Sequence, residues 1–321
     1  MAHYADPLLH SIANRLQDPD PGIRRVAVMD LVDSSEAEAV QLLMMALGDE
    51  DEWVRMEAAK VIDEFDPQDM LEALVDALTS ADEHVRNAAA MALADIKDTA
   101  MAPALMMALK EDDAFVLAAI LRALKQLRIK AAEPHAIALL EHADTTVRRE
   151  AVGVLGYLQD PGNLPRLMAM AANDADPEVR RASVGTLVFG EPYQVSQALI
   201  RALQDDHWLV RVEAAKGLGR LKDAAAAAPL IDATRDARWQ VQEKAAEALG
   251  KLGAVEGVPA LGDCLDNPIS NLRKAAVAAL GEIGHPEGLL WVEKALEDED
   301  PDVRKLARWA KERIADAVIQ G

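Results

Sequence analysis

The sequence is poor in several residue types, and each shortage narrows the range of folds and functions. Of the 321 residues only one is a cysteine, Cys264, so the chain has no internal disulfide. No apolar run approaches the roughly 20 residues that span a bilayer. The N-terminal segment also lacks the basic and then apolar regions of a secretory signal. We therefore expect a cytoplasmic protein without a membrane span.

Cationic residues are few compared with acidic ones. The chain has 34 Lys and Arg against 55 Asp and Glu, a net charge of −21, and residues 1–160 carry 14 against 30. Because phosphate contacts need cationic side chains, this balance argues against nucleic-acid binding. The acidity serves solubility and helix capping, and its concentration in the N-terminal half also fits a partner protein with a basic surface.

Motifs that carry catalysis are missing. None of the seven histidines has another four residues away, as a helical metal pair requires. His135 and His142 are seven apart beside Glu141, which we interpret as a surface or packing arrangement. There is no glycine-rich phosphate loop, no serine nucleophile elbow and no cysteine pair. We expect no catalytic residue, no bound metal and no cofactor, which leans towards a protein that is not an enzyme without deciding the question.

The main feature of the sequence is a regular repeat. One position, here called the arginine column, recurs every 31 residues, with a single spacing of 32 after Arg148. Its members are Arg24, Arg55, Arg86, Leu117, Arg148, Arg180, Arg211, Gln242, Arg273 and Arg304. A fixed period of this length indicates stacked structural repeats.

Apolar columns accompany the arginine column. A small residue stands three positions after it, mostly Ala, and Leu or Ile stands seven positions after it in nine of the ten repeats. Spacings of three, four and seven define one face of an α-helix, so each repeat is predicted to be a pair of short helices. One pair cannot bury its own apolar face, and the pairs must stack. We predict an all-α protein, a right-handed α-solenoid of about ten helix pairs.

The predicted helix ends have suitable residues. Aspartates four positions before the column can cap the second helix of a repeat: Asp20, Asp51, Asp82, Asp113, Asp144, Asp176 and Asp300. Prolines fit the first turn of the first helices: Pro103, Pro134, Pro165, Pro229 and Pro259. Glycines are expected to close the second helices: Gly156, Gly219, Gly250 and Gly281.

Stretches such as "DADPEVRRASVGTL" (174–187) and "DEDPDVRKLARWA" (298–310) resemble the HEAT-like repeats of the phycobilin-lyase type. The resemblance covers nearly the whole chain, and the unbroken period predicts a single elongated domain, 1–321. The repeats would be approximately 5–34, 35–65, 66–96, 97–127, 128–158, 159–190, 191–221, 222–252, 253–283 and 284–317. The resemblance also implies that arginine and aspartate columns form ladders between repeats and that the second helices line a concave face. By this resemblance the ladder is interrupted at Leu117 and Gln242.

Departures from the repeat indicate where a partner binds. On second helices, five or nine residues after the column, stand Arg122, Gly153, Tyr157, Gly185, Phe189 and Lys216. These spacings face away from the packed Ala and Leu positions, so glycine and aromatic surface would form a trough between two cations. Two residues before the column, Trp53, His84 and Phe115 form a second row, either exposed to a partner or partly buried.

Two further departures concern apolar residues. The helix around Leu117 is apolar on all sides, which indicates either full burial or a covering partner. All twelve methionines lie within the first 170 residues. Their flexible thioethers suit core packing, which we favour here, and they also suit adaptable binding surfaces.

Three functions fit the sequence. We favour a non-enzymatic scaffold or adaptor that binds a partner protein along its concave face. The alternative is a cofactor-maturation factor or chaperone similar to phycobilin lyases, which would present a tetrapyrrole or other cofactor to a client. A HEAT-like hydrolase or hydroxylase is disfavoured, because its ligand clusters are missing.

Overall fold

The chain is described from a computed structural model, which covers residues 6–34, 37–65, 67–110 and 112–320. In these ranges it forms twenty α-helices joined by turns and short 3₁₀ segments, with no β-strand. The prediction of an all-α fold built from ten helix pairs is confirmed. The chain divides into two compact units, Met1–Leu158 and Gln159–Gly321. The predicted single domain over 1–321 stays a prediction.

The first unit contains five helix pairs. Its helices are α1 (Pro7–Arg15), α2 (Pro21–Asp30), α3 (Ala37–Leu47), α4 (Glu52–Val61), α5 (Pro67–Ala77), α6 (Glu83–Ala94), α7 (Ala102–Ala108), α8 (Ala114–Leu127), α9 (Glu133–Leu139) and α10 (Thr145–Leu158). The second helices of the pairs are the even-numbered ones. Here α2 packs on α4, α6 on α8, and α8 on α10.

The second unit also contains five pairs. Its helices are α11 (Leu164–Asn173), α12 (Pro177–Thr186), α13 (Pro192–Ala202), α14 (Trp208–Leu221), α15 (Ala227–Ala233), α16 (Trp239–Leu252), α17 (Val258–Asp263), α18 (Ser270–Ile283), α19 (Leu289–Ala295) and α20 (Pro301–Gln320). Every consecutive pair of second helices packs together in this unit, from α12 on α14 to α18 on α20. Each unit is therefore an α-solenoid stack in which a repeat packs on its neighbours in sequence.

The small-residue column lies at the centre of the packing. Its members are fully or almost fully buried: Ala27, Ala58, Ala89, Ile120, Ala151, Ser183, Ala214, Ala245, Ala276 and Ala307. The apolar character of α8 has the same explanation, since Leu117 is 3% exposed and the helix packs against α6, α7 and α10. Of the two readings of α8, burial is correct.

The aspartates cap the second helices as predicted. In all seven cases the carboxylate accepts a hydrogen bond from the backbone N–H two residues later, as Asp51 does from Trp53 at 2.9 Å. These bonds satisfy amide donors that have no partner within the helix. The acidity of the turns therefore has a structural role in both units.

The glycine prediction was wrong. Gly219, Gly250 and Gly281 lie inside α14, α16 and α18, and the caps with positive φ include Gly253 and Gly284 instead. The interior glycines serve close helix approach. An added Cβ on Gly250 would lie 2.8 Å from the Cα of Ala279 on the next second helix, and a Cβ on Gly219 or Gly281 would lie 3.0 or 2.9 Å from the Cα of Ala248 or Ala310. The repeats of the second unit pack this tightly because the position has no side chain.

No helix in the described ranges is both long enough and apolar enough to span a membrane.

Candidate functional site

The arginine column joins successive repeats in the second unit. Nη1 of Arg211 donates to the carbonyl oxygens of Asp205 and Asp206, which fixes the turn of its own repeat. Its Nε and Nη2 donate to the carboxylate of Asp236 in the next repeat, at 2.7 and 2.9 Å. The same two-sided arrangement occurs at Arg180, Arg273 and, in the first unit, Arg24. The ladder predicted from the resemblance is therefore present.

Two details of the ladder prediction need correction. The ladder acid stands six residues before the next column position, as Asp236 does, whereas the acid four residues before is the helix cap. The ladder also continues at Gln242. Its Nε2 donates to the carbonyl of Asp236, and its Oε1 accepts from Nδ2 of Asn267 at 3.3 Å. An amide pair with one hydrogen bond replaces the ion pair with two, so the charge and one of the bonds between repeats are lost.

The ladder groups are paired strongly enough to shift their protonation equilibria. The hydrogen bond from Arg273 holds the pKa of Asp298 below its ordinary value. Burial opposes ionisation of Asp236, but the hydrogen bonds from Arg211, the backbone hydrogen bond from Arg238 and the charges of both cations together outweigh it, and the pKa of Asp236 is also lowered. These carboxylates are structural, and their positions repeat with the fold.

The predicted trough residues of the first unit lie close together but are already engaged. Arg122 and Lys125 both bind the buried carboxylate of Glu150, at 3.2 and 2.9 Å. Lys125 also fills the space beside Gly153, where an added Cβ would lie 2.9 Å from its Cδ. The ring of Tyr157 lies 5.9 Å from Nζ of Lys125 and is 41% exposed. A second cation, the guanidinium of Arg128, lies 5.4 Å from the ring centroid.

The trough residues of the second unit are more open. Gly185 and Phe189 are half-buried and Lys216 is exposed. The nearest side chain to a Cβ built on Gly185 is Glu213, at 3.5 Å, and Glu213 also pairs with Lys216 at 3.4 Å. Arg122, Gly153 and Tyr157 belong to the first unit, and Gly185, Phe189 and Lys216 belong to the second. The trough through repeats four to seven therefore stays a prediction.

The second predicted row is exposed. Trp53 is 63% exposed, Phe115 is 38% exposed, and His84 is exposed as well. An indole with this much free surface is not covered by the following turn. Of the two readings of the row, exposure is correct for all three side chains.

A cleft of about 1120 Å³ opens in the first unit between α4 and α6. Arg55 and Ala59 on α4 form one wall together with Ile62, which directly follows the helix. The other wall is a single face of α6 and its C-terminal cap, Asp95: His84, Asn87, Ala88, Met91, Ala92 and Asp95. Met70, Leu71 and Leu74 of α5 line the floor. Among the consecutive second helices of the first four repeats, in the described part of the chain, α4 and α6 are the pair that makes few or no contacts.

The cleft exposes positions that are covered in other repeats. Ala59 stands four residues after the column and is exposed, whereas its equivalents in the eight other repeats before the terminal one are at most 5% exposed: Val28, Ala90, Leu121, Val152, Val184, Ala215, Ala246 and Val277. Ile62, seven after the column, is half-buried, whereas eight equivalents from Leu31 to Leu280 are fully buried. The stacking face of repeat two is therefore uncovered.

The ladder also changes at the cleft. Arg55 donates to the carbonyl oxygens of Asp49 and Glu50 in its own repeat, at 2.6 and 2.9 Å. The position that supplies the acid of the next repeat is Ser80, which has no carboxylate. The pairing that joins α2 to the turn before α4, between Arg24 and Asp49, is therefore missing at this step.

The cleft contains one residue of the predicted set, His84, and the sequence analysis missed the others. Met91 occupies the same position as Arg122 and Gly153, five after the column, and is 71% exposed. The signal for the cleft in the sequence was Ser80, which stands six residues before Arg86, where most repeats have an acid. The methionines serve both roles considered for them: Met44 and Met70 are buried, whereas Met45, Met56, Met91 and Met107 are exposed.

Within the described ranges, no group of three or more His, Cys, Asp or Glu side chains could hold a metal ion. The single thiol, Cys264, is buried, and burial raises its pKa to about 11. It is therefore protonated and unreactive at neutral pH.

Comparison with known proteins identifies the repeat. The family profile described as HEAT repeats matches residues 9–78, 46–125, 132–191, 173–240, 196–273 and 265–318. No curated protein sequence matches the chain. The narrower phycobilin-lyase type stays a prediction, because the matching profile is the general one.

Solved structures resemble the chain in fold. The crystal structure of an engineered protein is 20% identical, with a TM-score of 0.51 over 97% of this chain and 99% of that one. A chain from the structure of Kap95p binding to RanGDP is 15% identical, with a TM-score of 0.59 over 98% of this chain and 53% of that one. Human deoxyhypusine hydroxylase is 20% identical and covers 77% of this chain and 96% of that one, but its TM-score of 0.36 supports no conclusion.

Proposed function

Because this chain belongs to the HEAT-repeat family, we propose that it is a non-enzymatic scaffold that binds a partner protein on the face of its second helices. HEAT-type stacks present extended surfaces on which partners bind. The proposal depends mainly on one observation, the uneven distribution of exposed apolar side chains between the two units.

In the described ranges, twelve of the sixteen large apolar side chains that are exposed belong to the first unit. They are Leu8, Ile23, Val26, Met29, Val32, Met45, Trp53, Met56, Met91, Met107, Phe115 and Tyr157. The second unit contributes Tyr193, Val255, Leu290 and Trp309. Clusters of exposed apolar surface mark interaction sites in soluble proteins, whereas isolated ones are ordinary. This supports a binding surface on the first unit.

The binding residues proposed are the two predicted sets. Arg122, Gly153, Tyr157, Gly185, Phe189 and Lys216 form the first, and Trp53, His84 and Phe115 form the second. Tyr157 supports the first set, because it combines an exposed ring with two neighbouring cations. Trp53 supports the second set, since an exposed indole is a frequent anchor at interfaces. The strong acidity of the chain favours a partner with a basic surface.

Capture of native partners by the tagged full-length protein tests the proposal. Proteins that co-purify with the wild type are compared with those that co-purify with Tyr157→Ala/Phe189→Ala and with Trp53→Ala/Phe115→Ala. A central aromatic anchor contributes about 2 kcal/mol or more, so at least one double variant should bind its partner tenfold more weakly while keeping its helical content. Unchanged binding by both would contradict these sites, and a chain that retains no partner would contradict the scaffold function.

A further inference from the structure

We propose that the cleft between α4 and α6 binds a basic amphipathic helix of a partner protein. This inference rests on the scaffold function and names the kind of segment that one part of the scaffold recognises. It is carried by the uncovered stacking face, by the dimensions of the cleft and by the charge around it.

The wall that α4 presents is suited to a helix. Ala59 and Ile62 correspond to Ala215 and Leu218, which are fully buried in the second unit, where α14 packs on α16. These column positions pack against a helix in the other repeats before the terminal one, whereas here Ala59 is exposed and Ile62 is only half-buried. An apolar helix from another protein can make equivalent contacts, in the helix-in-groove mode of recognition.

The dimensions fit a short helical segment. The wall from His84 to Asp95 spans eleven residue steps along α6 and its cap residue, which is about 16 Å at 1.5 Å per residue. That length accepts about three turns of a partner helix. The volume of about 1120 Å³ exceeds the range of roughly 300–1000 Å³ that is usual for small-molecule pockets.

Methionines give the cleft an adaptable surface. Met70 is buried in the floor, and Met91 is 71% exposed on the α6 wall. Met101 lies at one end and is half-buried. Flexible thioethers adjust to differently shaped apolar side chains, which suits a surface that receives a helix from another protein.

The charge of the surrounding repeats selects a basic partner. Residues 35–96 contain 16 Asp and Glu against three Lys and Arg. Exposed acids in this range are Glu50, Glu52, Glu64, Glu72, Asp76, Asp82, Glu83 and Asp95. A tetrapyrrole carries carboxylates and would be repelled, whereas Lys and Arg on the rim of a bound helix would be attracted.

Synthetic peptides of 18 residues test this on the full-length protein. One peptide contains Leu and Lys at amphipathic helical spacing, a second has the same composition in scrambled order, and a third has Glu in place of Lys. Fluorescence anisotropy should show binding of the first at least tenfold tighter than of either other peptide. Equal binding of the scrambled or acidic peptide would overturn the proposal, as would no binding of the first.

Two variants locate the binding site. Met91→Lys places a cation on the exposed wall of the cleft, and Met107→Lys adds the same charge at a side chain that is 67% exposed outside the cleft. We expect Met91→Lys to weaken binding of the basic peptide at least tenfold and Met107→Lys less than threefold. Equal effects would mean that the peptide responds only to net charge, and the proposal would be wrong.

Methionine methyl resonances give a readout at the site itself. In protein labelled with ¹³C-methyl methionine, the basic peptide should shift Met70, Met91 and Met101 and leave Met107 in place. Shifts confined to methionines outside the cleft would overturn the proposal. If the peptide fails but native partners are still lost from the Tyr157→Ala/Phe189→Ala variant, the scaffold function stands and the cleft proposal alone is rejected.

Discussion

Oε1 of Gln242 accepts a hydrogen bond from Nδ2 of Asn267 at the place where Arg211 meets Asp236 one repeat earlier. Both partners of the ion pair have been replaced together, and the replacement keeps one of the two hydrogen bonds between repeats. The pair also keeps the bond from Gln242 to the carbonyl of Asp236. The two neutral residues therefore depend on each other.

This dependence predicts coupled effects of mutation. Asn267→Asp alone should destabilise the protein, because it places a carboxylate oxygen against the amide oxygen of Gln242 in a partly buried site. The expected cost is about 1–3 kcal/mol. Gln242→Arg combined with Asn267→Asp should recover stability by restoring the ion pair. Urea unfolding of both single variants and the double variant gives the coupling free energy, expected at roughly 0.5–3 kcal/mol.

The reverse exchange provides the control. Arg211→Gln leaves Asp236 without its guanidinium partner and should cost about 3 kcal/mol or more. Arg211→Gln/Asp236→Asn should cost less than the sum of its single changes. If the losses of stability were additive in both exchanges, the two residues that pair between successive repeats would act independently.

The lowered pKa of Asp298 predicts a loss of stability in acid. Because its carboxylate accepts hydrogen bonds from Arg273, the folded-state pKa of Asp298 lies below its ordinary value. The stabilisation is complete at pH values above the unfolded-state pKa of about 3.9, and it is lost as the pH falls through the folded-state value. Asp298→Asn should be less stable than the wild type at pH 7. The difference in urea midpoint should shrink below pH 4, and a constant difference down to pH 2.5 would contradict this role.

The interior glycines should tolerate substitution very unequally. A Cβ on Gly250 would lie 2.8 Å from the Cα of Ala279, so Gly250→Ala must push two helices apart and should cost about 1–3 kcal/mol. Gly185→Ala is the matched control, because its Cβ would meet only the flexible Glu213 at 3.5 Å. Gly185→Ala should leave the free energy of unfolding unchanged or raise it by up to about 1 kcal/mol, since Ala has a higher helix propensity than Gly. Thermal unfolding that ranks the two variants in the opposite order would refute the close-packing argument.

The thiol of Cys264 should resist modification in the folded protein. Burial raises its pKa to about 11, so the thiolate that reacts with alkylating agents is scarce at pH 8. Iodoacetamide should label the unfolded chain in urea and leave the native chain unlabelled over the same period. Equal labelling of both states would show that the region around α17 opens readily.

The fold could be predicted from the sequence because the buried positions repeat. Ala214 and Leu218 recur with the same spacing in the other repeats, and that spacing alone defines the packed face of a helix. The ladder acids were harder to choose. Each turn contains several acids, and only the structure separates Asp298, which binds Arg273, from the capping Asp300.

The cleft could not be predicted in the same way. Periodicity indicates which face of α4 is apolar, but not whether the next repeat covers it. Ala59 and Ile62 are the residue types expected at their positions, and only their exposure is unusual. The local signal was Ser80 in place of an acid, which a single sequence does not distinguish from ordinary variation.

The ladder also limits how the chain can be shortened or duplicated. Removing residues 222–252 would place Arg211 opposite Asn267, and removing residues 253–283 would place Gln242 opposite Asp298. Both deletions join a charged partner to a neutral one, whereas removal of 222–283 brings Arg211 to Asp298 and conserves a matched step. We therefore expect recombination within the array to gain or lose residues 222–252 and 253–283 together, as one segment of two repeats.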